Sequence, residues 1–264
     1  MLCGIESERQ KPIATNPDYN FGEDLRAWGK LTRNIMIWDY VVQFRNLVSP
    51  FPNLRVLQPN IQFFVENGTN AHFQQGNREI GGEFYELRQY LISRLLWNPD
   101  CDVEAEMDDF LKHYYREAAP YIRQYIDIIH DESEASGEKL GIFMNPEDYS
   151  EKGFLRDELM ERYEALFQQA MEAVSGQPDI LLRVKVAHMP LTYALFNIAK
   201  KRGTSEGRCF EQVNGKWQVR PGMITRLDEF VELCRKTGVT RLSEWHTTPD
   251  EYDVQMHEFF QTIH

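Results

Sequence analysis

The chain contains no run of the roughly 18 consecutive apolar residues that a membrane-spanning helix requires, and its first residues show no basic stretch followed by an apolar core, so neither a span nor an export signal is expected. Positive charge is scarce. Lys and Arg number 29 against 41 Asp and Glu, a net charge of −12 over 264 residues. This balance disfavours nucleic acid and anionic membrane, both of which select basic surfaces, and leaves a neutral or cationic ligand as the better fit. The cysteines Cys3, Cys101, Cys209 and Cys234 are scattered without CxxC spacing, which reads as buried thiols. HxxxH and HExxH spacings are absent, so neither a metal nor a cofactor is expected. Internal repeats and low-complexity segments are lacking too.

What is present is alternation. Residues 34–40 read Asn-Ile-Met-Ile-Trp-Asp-Tyr, an apolar run that ends in an indole, a carboxylate and a phenol. A parallel strand covered on both faces has this form, because it carries polar side chains only where it leaves the sheet. Residues 1–6 end similarly at Glu6, and residues 71–77 end at Gln75, Gly76 and Asn77. Helical spacing of apolar residues follows each of the three. Phe21, Leu25, Trp28 and Leu31 mark the first helix, a second begins near Gln58, and Phe84, Leu87, Leu91 and Leu95 mark the third. Between the second strand and the second helix, Pro50 and Pro52 exclude regular structure from residues 41–53.

Strand-helix alternation predicts parallel strands joined by right-handed crossovers. Three strands cannot close an eight-stranded barrel, so residues 1–100 are expected to be the last three strand-helix units of a (β/α)8 barrel that starts upstream. Residues 101–264 are expected to form a helical domain. Its predicted helices cover 103–115, 118–129, 155–174, 178–201 and 227–236, with a final one opening at Thr248-Pro249-Asp250-Glu251. A charged linker is expected at 131–139 and a strand-like run at 239–245. Asn214-Gly215 predicts a hairpin within 209–220, because a tight turn needs positive φ at both positions.

Several motifs together carry a family resemblance. Residues 34–40, Pro-Phe-Pro-Asn at 50–53, Leu-Gln-Pro-Asn-Ile-Gln-Phe-Phe at 57–64, Phe-Gln-Gln-Gly-Asn at 73–77 and Leu-Leu-Trp-Asn-Pro at 95–99 resemble the bacterial domain-of-unknown-function family 4838. Residues 2–6, Tyr114-Tyr115 and Ser243-Glu244-Trp245 also fit its pattern. The family is similar to alpha-glucuronidase-type (β/α)8 glycosidases, and some members are classed as endo-beta-N-acetylglucosaminidases. The resemblance therefore implies the C-terminal part of an exported glycoside hydrolase acting on glycans that contain N-acetylglucosamine. The alternative is a truncated, non-catalytic carbohydrate-binding module.

Glycosidases flank the scissile bond with two carboxyl groups. Glu6 and Asp39, each at a strand end, are the catalytic candidates. Trp38 and Tyr40 are expected to contact a sugar, with His72 and Asn77 behind them, while Gln75 is expected to hold a hydroxyl or acetamido group. Competing roles are packing for the aromatics and pairing with Arg9 or Arg33 for Glu6. Tyr114, Tyr115, Tyr121 and Tyr125 lie at helical spacing and read as packing, and His188 in its apolar helix reads as a satisfied core histidine rather than a ligand. An open barrel edge also predicts self-association.

Overall fold

The computed structural model describes residues 1–16, 20–76, 79–205, 208–245 and 247–263. Its first part is β1 (Leu2–Cys3), α1 (Phe21–Leu31), β2 (Ile35–Tyr40), α2 (Leu57–Glu66), β3 (Thr69–Gln75) and α3 (Tyr85–Trp97). The strands form one parallel sheet in the order β1-β2-β3, as the alternation predicts. Leu2 lies opposite Ile37, and Trp38 lies opposite both Cys3 and Phe73. β1 is shorter than expected and leaves Glu6 in the turn that follows it.

The second part is α4 (Val103–Tyr115), α5 (Ala119–Ser136), α6 (Asp157–Ala173), α7 (Pro178–Arg202), the hairpin β4 (Phe210–Val213) and β5 (Lys216–Val219), α8 (Met223–Thr237) and α9 (Pro249–Gln261). The chain is thus a mixed α/β molecule with a small parallel sheet and a separate antiparallel hairpin. Asn214 and Gly215 both adopt positive φ at the hairpin turn, as that dipeptide predicts. None of the helices among the described residues is long and apolar enough to cross a membrane.

Two expectations are corrected. Residues 131–136 are not a linker but the last turns of α5, which stops only where Gly137 turns left-handed at φ 70°. His130 and Ser133 are buried there, so tertiary packing outweighs a composition that reads as solvated. Residues 239–245 are not a strand. Their backbone bonds go to other loops, from Leu47 N–H to Leu242 O at 2.9 Å and from Glu244 N–H to Phe44 O at 3.1 Å.

Two cores hold these parts. The smaller consists of Ile35 and Ile37 from β2 packed on Phe21 and Leu25 of α1 and Phe63 and Phe64 of α2. The larger runs without a break from Val41 and Val42 through Leu87, Leu91 and Leu95 of α3 into α4 to α9. The segment after β2 is therefore core rather than surface. Tight contact also fixes α1 against the turn after α2, where a Cβ on Gly29 would sit 2.6 Å from the carbonyl oxygen of Asn67. Gly29→Ala should consequently destabilise the protein by about 1 to 3 kcal/mol through forced displacement of that turn, read as a lower urea midpoint. An unchanged midpoint would mean that α1 and the turn do not pack this closely.

Candidate functional site

Alternation along β2 divides its side chains between two faces. Ile35 and Ile37 point to the helices. Asp39 shares their side by alternation, and Met36, Trp38 and Tyr40 lie on the other. The parallel register sets Trp38 beside Phe73 and Tyr40 beside Gln75, which gathers three rings on one surface. The Trp38 indole meets the Phe73 ring edge to face, with centroids 4.9 Å apart, and lies 6.2 Å from Tyr40 at an interplanar angle of 29°. Its Nε1–H donates to Gln75 Oε1 at 2.5 Å, so the glutamine locks the indole in place. Phe44, from the loop after β2, packs edge to face on Tyr40 at 5.4 Å. The surface is open, with Phe73 43% and Met36 37% exposed. The Tyr40 hydroxyl is raised above its ordinary pKa by desolvation, by its bond to Cys3 and by the charge of Glu244, against the pull of Arg9.

Of the residues predicted for the site, Trp38, Tyr40 and Gln75 come together. Asn77 lies outside the described residues. His72 sits on the helix side against Phe64, 5.7 Å between ring centroids, and burial lowers its pKa. Glu6 is exposed in the turn after β1 and makes no hydrogen bond or ion pair among the described residues. Arg9, one of its anticipated partners, pairs with Asp39 instead. The Asp39 carboxylate, 5% exposed, accepts from Arg9 Nη1 at 3.1 Å. Arg9 Nη2 also donates to the carbonyls of Gly4 and Ile5, the latter at 3.1 Å. Its backbone N–H reaches Leu140 O at 2.9 Å. Burial raises the Asp39 carboxyl and lowers the Arg9 guanidinium from their ordinary values, each opposed by the other's charge. Asp39 is thereby committed to pinning the turn after β1 beneath the aromatic surface.

A second polar group escapes the sequence altogether. The loop 41–53 carries backbone groups that a buried segment must satisfy, and they are met by side chains of α3, α5 and the turn before α3. Glu83 accepts from Phe51 N–H at 2.6 Å and from the Tyr125 hydroxyl at 2.9 Å. Arg88 donates at 3.0 Å both to Phe51 O and to Asn53 Oδ1, and Asn53 Nδ2 donates to Val41 O at 2.9 Å. His130 Nε2 accepts from Leu54 N–H at 2.9 Å. Desolvation lowers Arg88 to about 10 despite Glu83, and lowers His130 to about 3. The one sequence signal for this bracing was the pair of prolines, which removes two donors but leaves the carbonyls needing partners. Tyr115 and Tyr125 are buried, consistent with the packing expected of them.

Away from the sheet, α6, α7 and α8 line an open pocket of about 640 Å³. In its wall Glu164 accepts from His188 at 3.0 Å and from Arg226 at 2.5 Å. Burial opposes ionisation of Glu164, yet His188 and Arg226 together hold it down to about 2. Glu164 is thus the partner that satisfies His188, as expected of a histidine in that helix. Among the described residues, one group has the donors and spacing for an ion. Asp228, Asp253 and His257 present ligand atoms within 4.8 Å of one another on α8 and α9.

The model of a family described as Domain of unknown function (DUF4838) matches residues 1–127, the sheet with its helices and α4 included. No curated protein and no solved structure matches the chain.

Proposed function

Because the model of the DUF4838 family matches residues 1–127, we propose that the aromatic surface of the sheet is a saccharide-contacting wall, part of the mouth of a glycoside hydrolase-like site that takes glycans containing N-acetylglucosamine. The observation that carries this reading is the indole of Trp38, held by Gln75 and flanked by Tyr40 and Phe73 on an open face. Pyranose C–H groups pack on such rings while hydroxyls bond at the rim, and a ring already fixed loses little entropy on binding. In the same reading the three parallel strands are a portion of a (β/α)8 barrel. Among the described residues β1 and β3 each have one unpaired edge in the three-stranded sheet, where further strands or a second copy would pair.

Catalysis by this wall would need two carboxyl groups near the scissile bond. Glu6 is free to act as one. Asp39 supports the wall from behind, and its pairing with Arg9 at the turn after β1 disfavours it as the second. This burial of Asp39 favours a second reading, a carbohydrate-binding module without its own catalytic pair. Both readings share the same surface and the same test.

Titration with diacetylchitobiose, followed by calorimetry, should show Trp38→Ala weakening affinity by about tenfold, equivalent to roughly 1.4 kcal/mol, with the circular dichroism spectrum unchanged. Glu6→Gln separates the readings. A fall in turnover at unchanged affinity supports the hydrolase, whereas a protein that binds the sugar without ever cleaving it supports the module. Equal affinity in wild type and Trp38→Ala would sink both.

A further inference from the structure

The sheet does not complete its surface alone. Leu242 is buried, its N–H donates to Thr247 O at 2.8 Å, and its carbonyl accepts from Leu47 N–H at 2.9 Å. This closes a short loop and ties it to the segment after β2. Within that loop the Glu244 N–H donates to Phe44 O at 3.1 Å, and Phe44 is the residue whose ring packs on Tyr40. Glu244 is exposed, and its carboxylate accepts no hydrogen bond among the described residues. Desolvation and Cys3 raise the Tyr40 hydroxyl most, and the charge of Glu244 adds to them in a small way. A residue from near the C-terminus is in this way seated at the margin of a surface built by the first 75 positions.

We propose that Glu244 is a specificity-determining carboxylate of the saccharide surface, selecting neutral or amino sugars and rejecting uronic acids. The inference rests on the reading of that surface as a sugar wall. A carboxylate is acceptor-only, so it pairs with the hydroxyl, amide N–H or ammonium groups at the rim of a stacked ring. A uronate would bring a second carboxylate to the same margin, and like charges brought together discriminate against the wrong ligand. Asp39 cannot supply this selection, since its charge is buried and offset by Arg9. The net charge of −12 adds to the same bias at long range.

The test compares the whole chain with Glu244→Gln and Trp38→Ala, using diacetylchitobiose and a hyaluronan disaccharide, in which one unit is a glucuronate, at low ionic strength. Wild type should favour the neutral sugar by about fivefold, the ratio expected of an interaction near 1 kcal/mol at an exposed site. Glu244→Gln should weaken the neutral sugar and narrow that preference. If Trp38→Ala weakens binding but Glu244→Gln changes neither affinity nor preference, Glu244 has no part in selection while the sugar wall stands. If Trp38→Ala binds as wild type does, the wall is refuted and this inference falls with it.

Discussion

Asp39→Ala lowers the free energy of unfolding by about 3 to 5 kcal/mol, because removing one partner leaves the other charged and buried. Arg9 is 4% exposed and has Asp39 as its ion-pair partner, its remaining acceptors being the carbonyls of Gly4 and Ile5. Without the carboxylate, the turn after β1 holds a cation in a dry site. Replacing both residues, Arg9→Met with Asp39→Leu, should recover much of the loss, since a buried pair exchanged for apolar groups of similar volume is often close to neutral. Recovery should stay incomplete because the two carbonyls lose their donor. Urea unfolding of the four proteins measures these quantities. A loss below about 1 kcal/mol in Asp39→Ala, the level of an exposed pair, combined with abolished turnover would return Asp39 to the reacting site.

The second large effect is acid sensitivity from His130. The ring is buried and neutral, accepting from Leu54 N–H through Nε2, with Nδ1 2.7 Å from Ile126 O. Desolvation lowers its pKa from 6.5 to about 3 in the folded protein, although the Ile126 carbonyl pulls the other way. For a base with a depressed folded pKa, the unfolded chain takes up a proton below its own pKa while the folded chain does not. The stability contributed is therefore complete above pH 6.5 and declines as pH falls toward about 3. Over that window the contribution lost amounts to several kcal/mol, at 1.36 kcal/mol per unit. Buried carboxyls such as Asp39 and Glu83 are raised and act with the opposite sign, so the difference between wild type and His130→Gln is the quantity to follow. The difference curve should slope downward as pH drops from 6.5 to 4.5; a flat one would show that His130 is not held neutral by its site. Loss of this acceptor would also free Leu54 and, with it, the loop that seats Phe44 against Tyr40.

The sequence reading succeeded where periodicity carries the physics. α3, with Leu87, Leu91 and Leu95 on one face, is visible because its burial repeats every three to four residues. β2 is visible as an apolar run, but its expected cover on both faces is corrected, since burial alternates and Met36 is 37% exposed. The hairpin was visible because Asn214-Gly215 alone satisfies its turn. The burial of Asp39 and its pairing with Arg9 were not visible from its position alone. At a strand end the same alternation that turns Trp38 and Tyr40 outward turns the residue between them inward, and applying the alternation to the polar tip would have separated it from them. The pairing of Arg9 with Asp39 depends on a turn that brings residues thirty positions apart to 3.1 Å, which no local spacing records. The bracing of loop 41–53 by Glu83, Arg88, Tyr125 and His130 was hidden for the same reason. The helical ending of α5 was misread because Asp131, Glu132, Ser133 and Glu134 look solvated, whereas Ser133 is buried.

The central claim is that sugar meets the protein at the open aromatic face of the sheet. Hydroxyl-radical footprinting with and without diacetylchitobiose tests it most directly, since oxidation reports the solvent exposure of individual side chains. The account expects protection of Trp38, Tyr40 and Phe73, with His188 and Met171 at the pocket between α6, α7 and α8 unchanged. Protection confined to that pocket, with Trp38 and Phe73 oxidised as before, would contradict it.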